Sequence, residues 1–158
     1  MHQRGILGSA LAAIFVACLS VTAHAAGEDA AVPPNVRIVT PDSSVPPEIA
    51  AFSGKWVGWW GPRALHSILV VQKIHPADAK GWHKVEAIYS RGTNLSFGYH
   101  APEYGDHDGR IKDGELVIEA RGVVLRYRLA PDRRILQGEL DNLARKVRVR
   151  GMFTKASE

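Results

Sequence analysis

RGVVLRYRLAPDRRILQGELDNLARKVRVRGMFTK, residues 121–155, is written almost throughout in a period of two. Leu125, Tyr127 and Leu129 alternate with Arg126 and Arg128. Leu136, Gly138 and Leu140 alternate with Gln137, Glu139 and Asp141. Val147, Val149, Gly151 and Phe153 alternate with Lys146, Arg148 and Arg150. Successive side chains of a strand point to opposite faces, so each run has one apolar and one charged face. Pro131-Asp132-Arg133 and Asn142 punctuate the runs as turns. Three strands in meander order are therefore predicted over 123–130, 134–141 and 143–155.

The same pattern extends toward the N-terminus. Asp113-Gly114 is a strong hairpin dipeptide, joining Gly109 to Lys112 with Glu115 to Ala120. Gly54 to Trp60 reads as the first strand, with Trp56, Gly58 and Trp60 on one face. Leu65 to His75 reads as a long second strand with an apolar centre, Ile68 to Val71. Pro76 to Gly81 is a turn, and Trp82 to Ser90 a third strand with Val85, Ala87 and Tyr89 on one face. Between Arg91 and Asp108 the period weakens, and the reading is one strand, Leu95 to His100, followed by a polar loop. No segment has a helical period long enough for a parallel crossover. The predicted fold is all-β: an antiparallel up-and-down β-barrel of about 8 strands over residues 51–158, closed because closure removes exposed edges.

The N-terminal part reads differently. One positive charge at Arg4, an apolar run from Ile6 to Val21 and the small-x-small site Ala23-His24-Ala25 have the order of a secretory signal peptide, residues 1–25. The expectation is an exported protein, periplasmic or secreted, with no transmembrane segment in its mature form. Val16-Ala17-Cys18 loosely matches a lipoprotein cleavage site, and lipidation at Cys18 is the subordinate reading. Residues 26–50, with Pro33, Pro34, Pro41, Pro46 and Pro47, read as a Pro-rich tether; Asn35 to Thr40 within it has the apolar residues to lie across the domain. Removing the signal takes away Arg4 and Cys18. That leaves 19 basic against 16 acidic residues, a net charge of +3. A thiol-free mature chain has no disulfide, no thiolate nucleophile and no cysteine metal ligand.

Gly54-Lys55-Trp56 at the head of the first strand resembles the G-x-W signature of the calycin barrels, which include lipocalins, avidins and fatty-acid-binding proteins. Strand count and meander order agree with that family over roughly Phe52 to Lys155. The resemblance implies a Trp at the closed end of the barrel, covered by a basic residue from late in the chain, with Arg148 or Arg150 at the matching position. The W-x-G-x-W opening is also similar to small domains of exported bacterial proteins that occur alone or beside hydrolase domains.

Four aromatic residues on the faces assigned inward, Trp56, Trp60, Tyr89 and Tyr127, are the candidates for binding a small apolar or aromatic ligand. The bland alternative is that they fill the core. His100, Glu103 and His107 are weak candidates for a metal or for acid–base chemistry, with no rigid spacing between the histidines. No metal or other cofactor is expected. No G-x-S-x-G elbow occurs, which removes one common nucleophilic class. Arg126, Arg128, Lys146, Arg148 and Arg150 suggest an anionic envelope polymer, but Glu119, Glu139 and Asp141 on neighbouring strands predict cross-strand pairing instead. No nucleic-acid partner is expected of an exported chain. The functional expectation is a non-enzymatic binding or envelope-associated barrel. The alternatives are an enzyme at the barrel mouth, and an accessory domain with a filled core.

Overall fold

A computed structural model describes residues 29–157. The predicted signal peptide and Cys18 lie outside the described residues. Eight antiparallel strands follow one another around a closed barrel: β1 (Gly54–Trp60), β2 (Leu65–Ala77), β3 (His83–Arg91), β4 (Glu103–Lys112), β5 (Glu115–Ala120), β6 (Val123–Leu129), β7 (Ile135–Asn142) and β8 (Val147–Lys155). β1 closes the barrel against β8, with Trp56 opposite Lys155 and Trp60 opposite Gly151. One helical turn, α1 (Pro47–Ala50), precedes β1. Among the described residues no helix is long and apolar enough to cross a membrane.

The alternation seen in the sequence becomes inside and outside. Trp56, Trp60, Leu65, Leu69, Val85, Ala87, Ile111, Leu116, Ile118, Leu125, Tyr127, Leu136 and Phe153 form one buried core with Phe52 and Ile49 of the α1 turn. Facing strands supply small residues where the large ones lie, which keeps an eight-stranded barrel packed. Gly138 stands opposite Gly151, and Trp60 occupies the space both leave.

β2 is apolar on both faces because both are covered. Its outward Ile68 and Val70 pack with Ile88 of β3 under Ala30, Val32 and Val36. The Pro-rich segment thus runs over the outer wall of β2 and β3. It is held by hydrogen bonds from Val39 N to Gln72 O (2.7 Å) and from Ser90 Oγ to Ala31 O (2.6 Å).

The charged faces pair as predicted. Arg126 reaches Asp141 at 2.5 Å, Arg148 reaches Asp141 at 2.6 Å and Glu139 at 3.4 Å, and Arg128 reaches Glu115 at 3.2 Å. One reading is corrected. Leu95 to His100 is not a strand: Leu95–Phe97 is a 3-10 turn capped by the Asn94 side chain, and Gly98 leaves it in the left-handed region. The segment read as a polar loop is instead most of β4.

The two ends of the barrel differ. Phe52 and α1 plug the end where β1 begins. There Trp56 Nε1 donates to Phe52 O at 2.8 Å, and Lys155 Nζ lies 5.1 Å from the Trp56 ring centre. The basic residue over the Trp is therefore Lys155. Arg148 and Arg150 lie on the outer wall, as strand parity requires. Gly54 permits the arrangement: its φ is +126°, and a Cβ there would stand 2.8 Å from Lys155 Cε. The opposite end carries the connections 61–64, 92–102, 121–122 and 143–146, and among the described residues its helical element is the short 3-10 turn Leu95–Phe97.

Candidate functional site

The open end holds a cavity of about 380 Å3. Its existence follows from one interrupted seam. β4 pairs with β3 along its whole length, from Glu103 opposite Arg91 to Ile111 opposite His83. Its pairing with β5 runs only from Lys112 to Gly109, and there it stops, at Ile118. One step further would set Asp108 opposite Glu119 on the outer face, a like-charge pair that disfavours continued pairing. Each carboxylate turns to another cation: Asp108 to Lys84 at 3.1 Å, and Glu119 to Arg110 at 3.6 Å. β4 residues 103–108 and the end of β5 part, and the cavity lies between and behind them.

β4 sends Glu103, Gly105 and His107 toward the interior, as its alternating burial shows. Gly105 leaves space beside the His107 ring: a Cβ there would meet only His107, at 3.4 Å. Ala120, Val123 and Leu140 supply an apolar wall, and Tyr89 lies at the inner limit. No hydrogen bond or ion pair engages the His107 ring among the described residues. Burial, then the Arg121 guanidinium, hold its pKa below the ordinary imidazole value, so the neutral ring is favoured.

The rim is built around Glu103. Its Oε2 accepts from Arg91 Nη2 at 2.5 Å and its Oε1 accepts from Arg121 Nη1. The Arg121 bond spans the open seam from β4 to the β5–β6 turn, so a side-chain bridge stands where the ladder is missing. Arg91 is fixed further by stacking, its guanidinium carbon 3.7 Å from the Tyr99 ring centre.

Beneath the cavity the interior is filled. Trp60 Nε1 donates to Tyr89 Oη at 2.9 Å, and Ser67 Oγ lies 3.2 Å from the same oxygen. Burial pushes the Tyr89 hydroxyl up to about 12. Trp60 and Tyr127 each pack edge to face on Phe153, at 5.0 and 5.5 Å between ring centres, and lie tilted to each other at 5.7 Å. The Tyr127 hydroxyl is buried with no hydrogen-bond partner among the described residues.

The candidate residues are thus placed as follows. Tyr89 borders the cavity. Trp60 and Tyr127 lie in the packed layer below it, and Trp56 lies at the plugged end. Glu103 and His107 come together on the cavity lining, while His100 is exposed in the preceding loop. No group of three or more His, Cys, Asp or Glu side chains converges on a cation position among the described residues. Arg91, Arg121, Gly105, Ala120, Val123 and Leu140 escaped the sequence reading. A usable signal existed: Glu103, Gly105, His107, Gly109 and Ile111 alternate with Tyr104, Asp106, Asp108 and Arg110. No protein-family model matches this chain, and no curated protein matches it.

Proposed function

We propose that this protein is an exported, calycin-like barrel that binds one small, largely apolar ligand at its open end. The observation that carries the reading is the cavity of about 380 Å3 behind the parted β4–β5 seam. That volume falls within the roughly 300–1,000 Å3 typical of small-ligand sites. Its wall of Ala120, Val123 and Leu140 suits an apolar body, and the neutral His107 ring offers one donor and one acceptor for a polar tip. The bridged Arg91, Glu103 and Arg121 surround the entrance. The calycin-like part of the reading is supported by Gly54-Lys55-Trp56, the bond from Trp56 to Phe52 and the Lys155 cation over the Trp56 ring.

The test is a neutral fluorescent probe, N-phenyl-1-naphthylamine, titrated into the wild type and into an Ala120→Trp variant that fills the cavity. Saturable binding lost in the variant is expected, along with a co-purifying small mass by native mass spectrometry. Absence of both in the wild type overturns the reading.

A second reading, an enzyme at the same mouth, is favoured by one observation: Glu103 and His107 both face the cavity. Hydrolysis of small apolar esters that disappears in His107→Ala would support it; rates equal in the two proteins would end it.

A further inference from the structure

We infer that the open end of the barrel is a docking face for an anionic lipid surface. The four connections at this end, 61–64, 92–102, 121–122 and 143–146, contain Arg63, Arg121, Arg145 and Lys146 and no Asp or Glu. The connections at the plugged end, 78–82, 113–114 and 130–134, mix Asp78, Asp113 and Asp132 with Lys80, Arg133 and Arg134. Arg121 is bridged to Glu103, but no ion pair engages Arg145 or Lys146 among the described residues. Two acids share this end: Asp29, whose carboxylate accepts from Thr93 N at 3.0 Å, and Glu103, held between Arg91 and Arg121; the outward positive charge is carried by Arg145 and Lys146.

The same end exposes large apolar side chains, two in the connections and one at the start of β8. Leu95 is 69% exposed, Leu143 63% and Val147 47%. Tyr104, the second residue of β4, is 56% exposed. Isolated exposed apolar residues are ordinary, but several on one face mark an interaction surface.

These tips are held in place relative to one another. Arg145 Nη1 donates to Ser96 O at 3.4 Å, and Leu143 N donates to Gly122 O at 3.1 Å. The Asn94 side-chain amide donates to Ala64 O. All four connections are thereby tied into one platform.

Apolar tips among cations fit a bilayer interface. Leu95, Leu143 and Val147 would enter the boundary between headgroups and acyl chains, with Tyr104 at headgroup level, and Arg145 and Lys146 would meet lipid phosphates. An acidic polymer would use the cations but would leave Leu95 and Leu143 exposed, so a lipid surface is the partner the observations favour. The inference does not depend on what the cavity holds.

The experiment is flotation with vesicles of phosphatidylcholine alone or with phosphatidylglycerol. Four proteins, each as the expressing cell processes it, are compared: wild type, Leu95→Ser/Leu143→Ser, Arg145→Gln/Lys146→Gln, and the far-end control Arg133→Gln/Arg134→Gln. Every substituted side chain is exposed, and circular dichroism checks the fold. Wild-type protein is expected to bind the phosphatidylglycerol vesicles. The cation pair should weaken binding about thirtyfold and the leucine pair at least about tenfold; the control should bind like wild type. A Leu143→Trp protein should show blue-shifted emission on those vesicles and quenching by brominated lipid.

No wild-type binding, a control that loses as much as the mouth variants, or emission from the Leu143→Trp protein that vesicles leave unmoved overturns the inference. Sensitivity to the cation pair alone, with the leucine pair silent, also overturns it and points to an acidic polymer.

Discussion

Gly138 and Gly151 face each other across β7 and β8, and the indole of Trp60 lies against both. A Cβ at Gly151 would stand 2.5 Å from Trp60 Cε3 and 2.9 Å from the Trp59 carbonyl; one at Gly138 would stand 2.7 Å from Trp60 Cη2. The Trp59 carbonyl belongs to the β1–β8 ladder and has little freedom to move. Gly151→Ala should therefore lower stability by about 1–3 kcal/mol, the usual cost of overpacking a core. Urea midpoints measure it. Trp60→Phe in the Gly151→Ala background should recover part of the loss, a coupling expected of residues in contact.

The two buried tyrosines should respond in opposite directions to loss of their hydroxyls. Tyr89 accepts from Trp60 and contacts Ser67, so Tyr89→Phe leaves the indole N–H buried without its acceptor. A loss of about 1–3 kcal/mol is expected. The Tyr127 hydroxyl has no partner to lose, so Tyr127→Phe should be neutral or stabilising by up to about 1 kcal/mol. Equal destabilisation in the two variants would contradict this assignment. Alkali gives a second check. The folded Tyr89 pKa is pushed up to about 12 by burial, above the unfolded value of about 10, so its hydroxyl opposes unfolding below pH 10 and loses that contribution as pH climbs toward 12.

His107 should make stability pH-dependent on the acid side. Its pKa in the fold is lowered, chiefly by burial, so the unfolded chain binds the proton more readily. Stability then rises with pH through the window just below the unfolded imidazole value of about 6.5, and falls as acid is added. His107→Gln should flatten that slope in urea titrations at pH 5 and pH 7.5. An unchanged slope would remove His107 as its source.

Lys155→Met keeps most of the stem that crosses Gly54 but loses the cation over Trp56 and the bond from Nζ to Ala51 O at 3.2 Å. A loss of about 0.5–1 kcal/mol is expected, in line with an exposed cation–π contact. Arg150→Met on the outer wall should cost less, since surface charges contribute little. Thermal unfolding of the two variants side by side decides the matter.

The barrel was legible because its signal is local. Leu125, Tyr127 and Leu129 announce a face without reference to any partner strand, and Asp113-Gly114 announces a turn. The cavity was not legible, because it arises from a pairing that ends early. Nothing in the isolated sequence of β5 says that Glu119 would meet Asp108; that follows only from register. β4 was misread for a related reason: a strand lining a cavity puts Gly105, His107 and Gly109 where a core strand puts Leu or Val, so the period is present but the hydropathy contrast is lost. Lys155 was overlooked for geometric reasons, since the residue that covers Trp56 must come from the last position of β8 rather than its centre.

The interrupted seam has a consequence for solubility. Closure normally leaves a barrel with no free backbone for another chain to pair with, but β4 residues 103–108 retain an edge on the β5 side. Acidic side chains stand along it at Glu103, Asp106 and Asp108, with Glu119 across the gap. A second molecule pairing antiparallel on the same edge would set Asp106 and Asp108 of one copy against Asp108 and Asp106 of the other on the outer face. Neutralising those carboxylates, by acid or by substitution, would turn a guarded opening into a template for edge-to-edge aggregation, and this seam is where such aggregation would nucleate.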